Sequence, residues 1–174
     1  REGLESRAEV ETAKSLAAKS KSGVEYDRAI RQRNGTMTWA IWLLFVQGRN
    51  EEAEVLARQG ARYAIEEKTA GAVLGYWQAK LAQAQLGARR FGEAAAAGQE
   101  AVATLRAAGV VPSAQQMINA QAILMQALFG LERWADADAV SSAMRAAAAD
   151  DINARAITDN AVLQAFLHLK TGRL

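Results

Sequence analysis

The chain has 174 residues, of which 51% are hydrophobic and 23% charged, with one proline, no cysteine and 40 alanines, close to a quarter of the total. Alanine is the best helix former and a poor strand former. The composition therefore excludes an all-β fold, a disulfide scaffold and a thiolate metal site. The net charge of +2 comes from 21 basic and 19 acidic residues, with no long basic run, so the footprint of a nucleic-acid binder is missing.

In chain order, apolar residues recur at three and four between widely spaced breakers, which is helical period rather than alternation. Helices are expected near residues 2–21, 24–34 and 36–47, with Gly35 as the break between the last two. The most apolar stretch, Trp39 to Val46, falls far short of the ~20 residues that span a bilayer, so no membrane partner is expected. Gly48 ends this part, and a helix over 50–68 follows with Glu51 and Glu52 in its first turn, where negative charge is favourable. The next is expected over 70–87, with Gly71 to Gly75 read as a stop and short restart. Helices over 91–108 and 113–130 flank Val110-Val111-Pro112-Ser113, where the proline stops one helix and Ser113 is a natural N-cap for the next. Helices over 134–149 and 152–171 complete the chain, the last preceded by Asp150 and Asp151. Short linkers make sequential helices antiparallel neighbours.

Residues that could carry chemistry are few. His168 is the one histidine, and a lone histidine cannot build a histidine-rich metal site; there is no cysteine nucleophile. The acidic pairs Glu51-Glu52, Glu66-Glu67 and Asp150-Asp151 are adjacent in sequence and point about 100° apart on a helix. Gly71 to Gly75 lacks the lysine and spacing of a phosphate loop. No catalytic residue, cofactor or metal is expected. Arg89-Arg90 and the set Arg28, Arg31 and Arg33 are read as an anion contact or as solubilising charge.

Two segments align without a gap at an offset of 43: LAQAQLGARRFGEA lies over LMQALFGLERWADA. Leu81, Ala84, Leu86, Gly87, Phe91 and Ala94 fall on Leu124, Ala127, Phe129, Gly130, Trp134 and Ala137. An earlier copy turns at Gly48 and carries Ala53, and a last one, VLQAFLHLKTGRL, stops at its turn. Gly87 and Gly130 are expected to be left-handed and end their helices. Ala82, Ala94 and Ala137 are expected to let helices approach closely. Phe91 and Trp134 should cap the first helix of their own copy. No single hairpin buries its stripe alone, so copies must stack.

This pattern resembles the tetratricopeptide repeat (TPR) family: Leu81-Ala82, Gly87, Phe91 and Ala94 match one copy, and Leu124, Gly130, Trp134 and Ala137 the next. Departures are Asn50 where an aromatic belongs, the missing helix-ending proline, two turns longer by two residues, and a period above the family's usual 34. The long period is similar to kinesin light chains and many bacterial multi-repeat proteins. The resemblance implies an all-α, right-handed superhelix of stacked hairpins, an α-solenoid. Copies would run over about 36–68, 70–108, 113–149 and a truncated 152–174, behind an N-terminal helical extension or degenerate repeat over 1–34.

It also implies a non-catalytic protein–protein interaction scaffold that grips a peptide or partner domain on its concave face. Carried over copy by copy, that face holds Thr38, Trp42 and Phe45; Tyr76 and Gln83; Asn119, Gln126 and Phe129; and Asp159 and Phe166. The Lys/Arg clamp of repeats that hold acidic peptide tails is missing. The alternative implied is a sensory or regulatory arm of a larger protein, since similar arrays precede caspase-like CHAT protease domains and occur in ATP-dependent transcription regulators. The truncated last copy leaves an apolar face expected to self-associate. A cytoplasmic location is favoured over a periplasmic one.

Overall fold

The computed structural model describes residues 23–69 and 71–147, with Lys170 and Gly172. The helices expected over 2–21 and 152–171, with His168, Asp159 and Phe166, lie outside the described residues. Those described form helices and turns with no strand: α1 (Gly23–Val46), α2 (Asn50–Glu66), α3 (Gly71–Gly87), α4 (Phe91–Ala107), α5 (Gln115–Gly130) and α6 (Trp134–Ala147). The protein is all-α. Each helix packs on the next, and α3 also packs on α5.

Three local expectations are corrected. Gly35 does not break the chain, because α1 runs through it as one helix. A glycine inside a helix costs about 1 kcal/mol, less than the burial of Met37, Ile41 and Leu44 just beyond it contributes. Gly71 to Gly75 is no stop and restart; α3 begins at Gly71 and continues through Gly75. A Cβ at Gly75 would stand 2.7 Å from Leu105 Cγ, so glycine is there for close approach to α4. Ser113 does not cap α5. The Ala114 amide donates to Val111 across the proline turn, which makes extended Ala114 the N-cap and leaves it without a side-chain cap.

Small residues set the helix spacing. Ala82, Ala94 and Ala137 are fully buried. Gly60 of α2 lies flat against the indole of Trp77, the largest fully buried side chain. Gly98 of α4 faces the backbone of Leu124, 3.2 Å from a Cβ built on it. One core joins α1, α2 and α3 around Met37, Ile41, Tyr63 and Trp77. A second joins α3 to α6 around Leu105, Leu124 and Leu128.

The turns repeat in atomic detail. After α1 the amides of Gly48 and Arg49 donate to Phe45 and Leu44; after α3 those of Arg89 and Arg90 donate to Leu86 and Gln85; after α5 those of Glu132 and Arg133 donate to Phe129 and Leu128. Each is a Schellman closure. The left-handed residue is Gly48, Arg89 or Glu132, not Gly87 or Gly130. Those two glycines are needed for another reason. A Cβ on Gly87 would overlap Asn50, and one on Gly130 would overlap Phe91. Phe91 therefore reaches across to Gly130 of the following copy, and Trp134 meets Phe129 of its own copy at 5.7 Å. The arginine after each left-handed residue bonds the acid three places on: Arg49 to Glu52, Arg90 to Glu93 and Arg133 to Asp136.

Candidate partner-binding face

Aligned on their turns, α1, α3 and α5 carry equivalent positions. Thr38, Ala79 and Ala122 correspond, then Trp42, Gln83 and Gln126, then Phe45, Leu86 and Phe129. Thr38 and Tyr76 are joined directly: the Tyr76 hydroxyl donates to the Thr38 hydroxyl at 3.0 Å, and Thr38 donates to the Asn34 carbonyl at 2.8 Å. Burial pushes the Tyr76 phenol up from its ordinary value, with the Thr38 bond pulling the other way.

Trp42 is 53% exposed and stands edge-on to Trp39, centroids 5.8 Å apart. Gln126 and Asn119 are exposed, and Asn119 accepts a hydrogen bond from Gln115. Gln83 is half-buried and accepts from Lys80. Phe45 and Phe129 are half-buried and pack against the two cores, so they serve the interior as much as any surface.

The sequence reading missed Lys80. Its ammonium lies 5.5 Å from the Tyr76 ring centroid and 3.2 Å from Gln83 Oε1. Burial holds its pKa below the ordinary lysine value. No carboxylate among the described residues pairs with it. The signal was in the sequence. From Asn34 to Gly48, Gly71 to Gly87 and Gln115 to Gly130, Lys80 is the one charged side chain. Helices α2, α4 and α6 and the turns before them carry the pairs Arg49–Glu52, Arg58–Glu54, Arg90–Glu54, Arg90–Glu93 and Arg133–Asp136. The N-terminal part of α1 carries Asp27, Arg28, Arg31 and Arg33, so the low-charge stretch of that helix begins at Asn34; a surface with few charges loses little hydration when it is covered.

The arginines have structural partners in two cases. Arg33 is 1% exposed and grips Glu67 with both terminal nitrogens, its guanidinium 4.3 Å from the Tyr63 ring centroid. Arg90 bonds Glu54 and Glu93. Neither is a free anion contact; Arg28, Arg31 and Arg89 are exposed.

Among the described residues no three His, Cys, Asp or Glu side chains are grouped to hold a metal ion, and no helix is long and apolar enough to cross a membrane. Compared with protein-family models, with curated proteins and with solved structures, the chain matches none.

Proposed function

We propose that this protein is a non-catalytic interaction scaffold, a TPR-like solenoid whose α1, α3 and α5 layer receives an extended or helical peptide. One observation carries the reading: from Asn34 to Gly48 and along all of α3 and α5, Lys80 is the one charged side chain among amides and aromatics, while α2, α4, α6 and the turns hold the ion pairs Arg58–Glu54, Arg90–Glu54 and Arg133–Asp136. Exposed Trp42 and half-buried Tyr76 offer rigid area of the kind that anchors partners. Gln83, Asn119 and Gln126 can pair with a peptide backbone without fixing its sequence. The helices are ordered before any partner arrives, so binding loses little entropy on the scaffold side. The expected partner is apolar with polar backbone contacts, and no nucleic acid, cofactor or metal enters the reading.

The test is selection of peptides from a random display library, followed by binding to variants of the whole chain. Trp42→Ala and Gln126→Ala should each weaken the selected peptides, about 10-fold for a tryptophan anchor, with helical content unchanged. Binding that survives both, and falls instead with Arg58→Ala on the opposite layer, would overturn the proposal. So would a selection that enriches nothing.

A further inference from the structure

Charges drawn partly out of water are costly unless something opposite compensates them. Buried Arg33 meets Glu67, buried Glu54 meets Arg58 and Arg90, and half-buried Arg49 meets Glu52. Half-buried Arg145 lies in the last turn of α6, where the helix dipole favours a cation. Half-buried Lys80 has neither kind of compensation. It stands in the middle of α3, away from both helix ends, and no carboxylate among the described residues pairs with it.

The ammonium nevertheless has a built seat. Of its three donors, one goes to Gln83 Oε1 at 3.2 Å, and the Tyr76 ring centroid lies 5.5 Å away. Tyr76 is tied in turn to Thr38 of α1 through its hydroxyl. The cation is thus held among Thr38, Tyr76 and Gln83, three residues of the candidate face. Burial without a counter-charge disfavours the charged amine, and it holds the Lys80 pKa below the ordinary lysine value. An anion that reaches such a site from outside is attracted more strongly than by a fully solvated lysine.

We propose that Lys80 receives an acidic side chain of the partner, one aspartate or glutamate set within an otherwise uncharged segment. This rests on the peptide-binding reading of the α1, α3 and α5 layer and adds a charge to the partner. Charge count selects a carboxylate over a phosphate. A phosphate brings about 1.5 to 2 negative charges, and no second base lies in α3, α5 or the stretch from Asn34 to Gly48. Position selects a side chain within the segment over a chain end. Helix α3 bonds α1 through Tyr76 and packs on α5, so a bound segment has contacts to make on both sides of Lys80, toward Trp42 and toward Gln126.

Random peptide display on the whole chain tests this, run in parallel on the parent, Lys80→Gln, Lys80→Arg and Lys80→Glu. The parent and Lys80→Arg should enrich peptides with one acid among apolar residues, and Lys80→Glu should enrich a basic residue instead. A peptide selected on the parent should lose about 10-fold in affinity on Lys80→Gln. Replacing its acid by the matching amide should cost a similar factor on the parent, which needs no protein variant, and should cost little more on Lys80→Gln. Peptides without an acidic preference that still weaken with Trp42→Ala would overturn this inference and leave the peptide-binding reading standing. A selection that enriches nothing would overturn both. Tighter binding of a synthetic version with phosphoserine in place of the acid would overturn the choice of a carboxylate.

Discussion

Arg33 of α1 is clamped to Glu67, just past the end of α2, by two hydrogen bonds, and its guanidinium lies over the Tyr63 ring. The pair fixes the height of α1 against α2 at the end of the hairpin far from Gly48. Both charges are withdrawn from water, so each depends on the other. Glu67→Gln should cost about 3–5 kcal/mol, because it strands a buried guanidinium. The double change Arg33→Met with Glu67→Leu should recover most of that loss. Urea unfolding of the three proteins measures both. A Glu67→Gln protein as stable as the parent would show that the pair contributes nothing.

Gly60 and Trp77 form a second fitted pair. The equivalent positions one copy on are Ala101 and Ala120, both fully buried. One interface is filled by a glycine and an indole, the next by two alanines. Gly60→Ala gains up to about 1 kcal/mol of helix propensity, yet it should destabilise by roughly 1–3 kcal/mol, since its methyl overlaps the buried Trp77 ring. Thermal melting decides between these signs, and a raised melting temperature would mean that Trp77 can shift.

Ala137 occupies the position of Ala53 and Ala94, and all three are fully buried. Ala137→Leu should overpack the α5–α6 hairpin at a cost of roughly 1–3 kcal/mol. Unfolding coincident with the parent would show a loose hairpin.

Helix type and order were legible in the sequence because they rest on period-three-and-four patterning and on an ungapped offset. Four of the five helices after α1 begin within one residue of expectation, including those at Asn50 and Phe91. Two kinds of feature were not legible. Gly35, Gly75, Gly87 and Gly130 look alike as letters, but one lies inside a helix facing open space and the others leave room for a neighbour. Which of the two applies depends on the tertiary partner. Likewise Arg33 reads as a surface charge until Glu67, distant in sequence, comes beside it. On the candidate face, register gives equivalent positions but not burial: Trp42, Asn119 and Gln126 are exposed, whereas Phe45 and Phe129 pack against the cores.

Arg89 and Glu132 hold left-handed backbone, with φ of 60° and 58°. Gly48 fills the same role after α1 with φ 71°. A residue with a Cβ pays about 1 kcal/mol in that region. Glu132→Gly should therefore stabilise by about 0.5–1 kcal/mol, and Gly48→Ala should destabilise by a similar amount. The contrary pattern in calorimetric melting would place the turn's stability in the side chain of Glu132.

Glu54 links two copies, since it is buried on α2 and bonds both Arg58 of its own helix and Arg90 of the next turn. Burial pushes its carboxyl up, but the hydrogen bonds and charges of Arg90 and Arg58 outweigh that and hold it below the ordinary glutamate value. A carboxyl depressed in the folded state binds its proton more readily when unfolded. Its contribution is therefore fully present above the unfolded value, about 4.3, and is lost as pH falls through the lower folded value. Glu54→Gln removes the charge at every pH. The parent should exceed the variant in urea midpoint near neutral pH, and the gap should close as the solution is acidified below the ordinary carboxylate range. Arg90→Ala should narrow the same gap at neutral pH, because it removes one of the two charges that hold Glu54 down. A difference between parent and Glu54→Gln that stays constant from neutral to strongly acid solution would mean that Glu54 holds the copies together by shape alone.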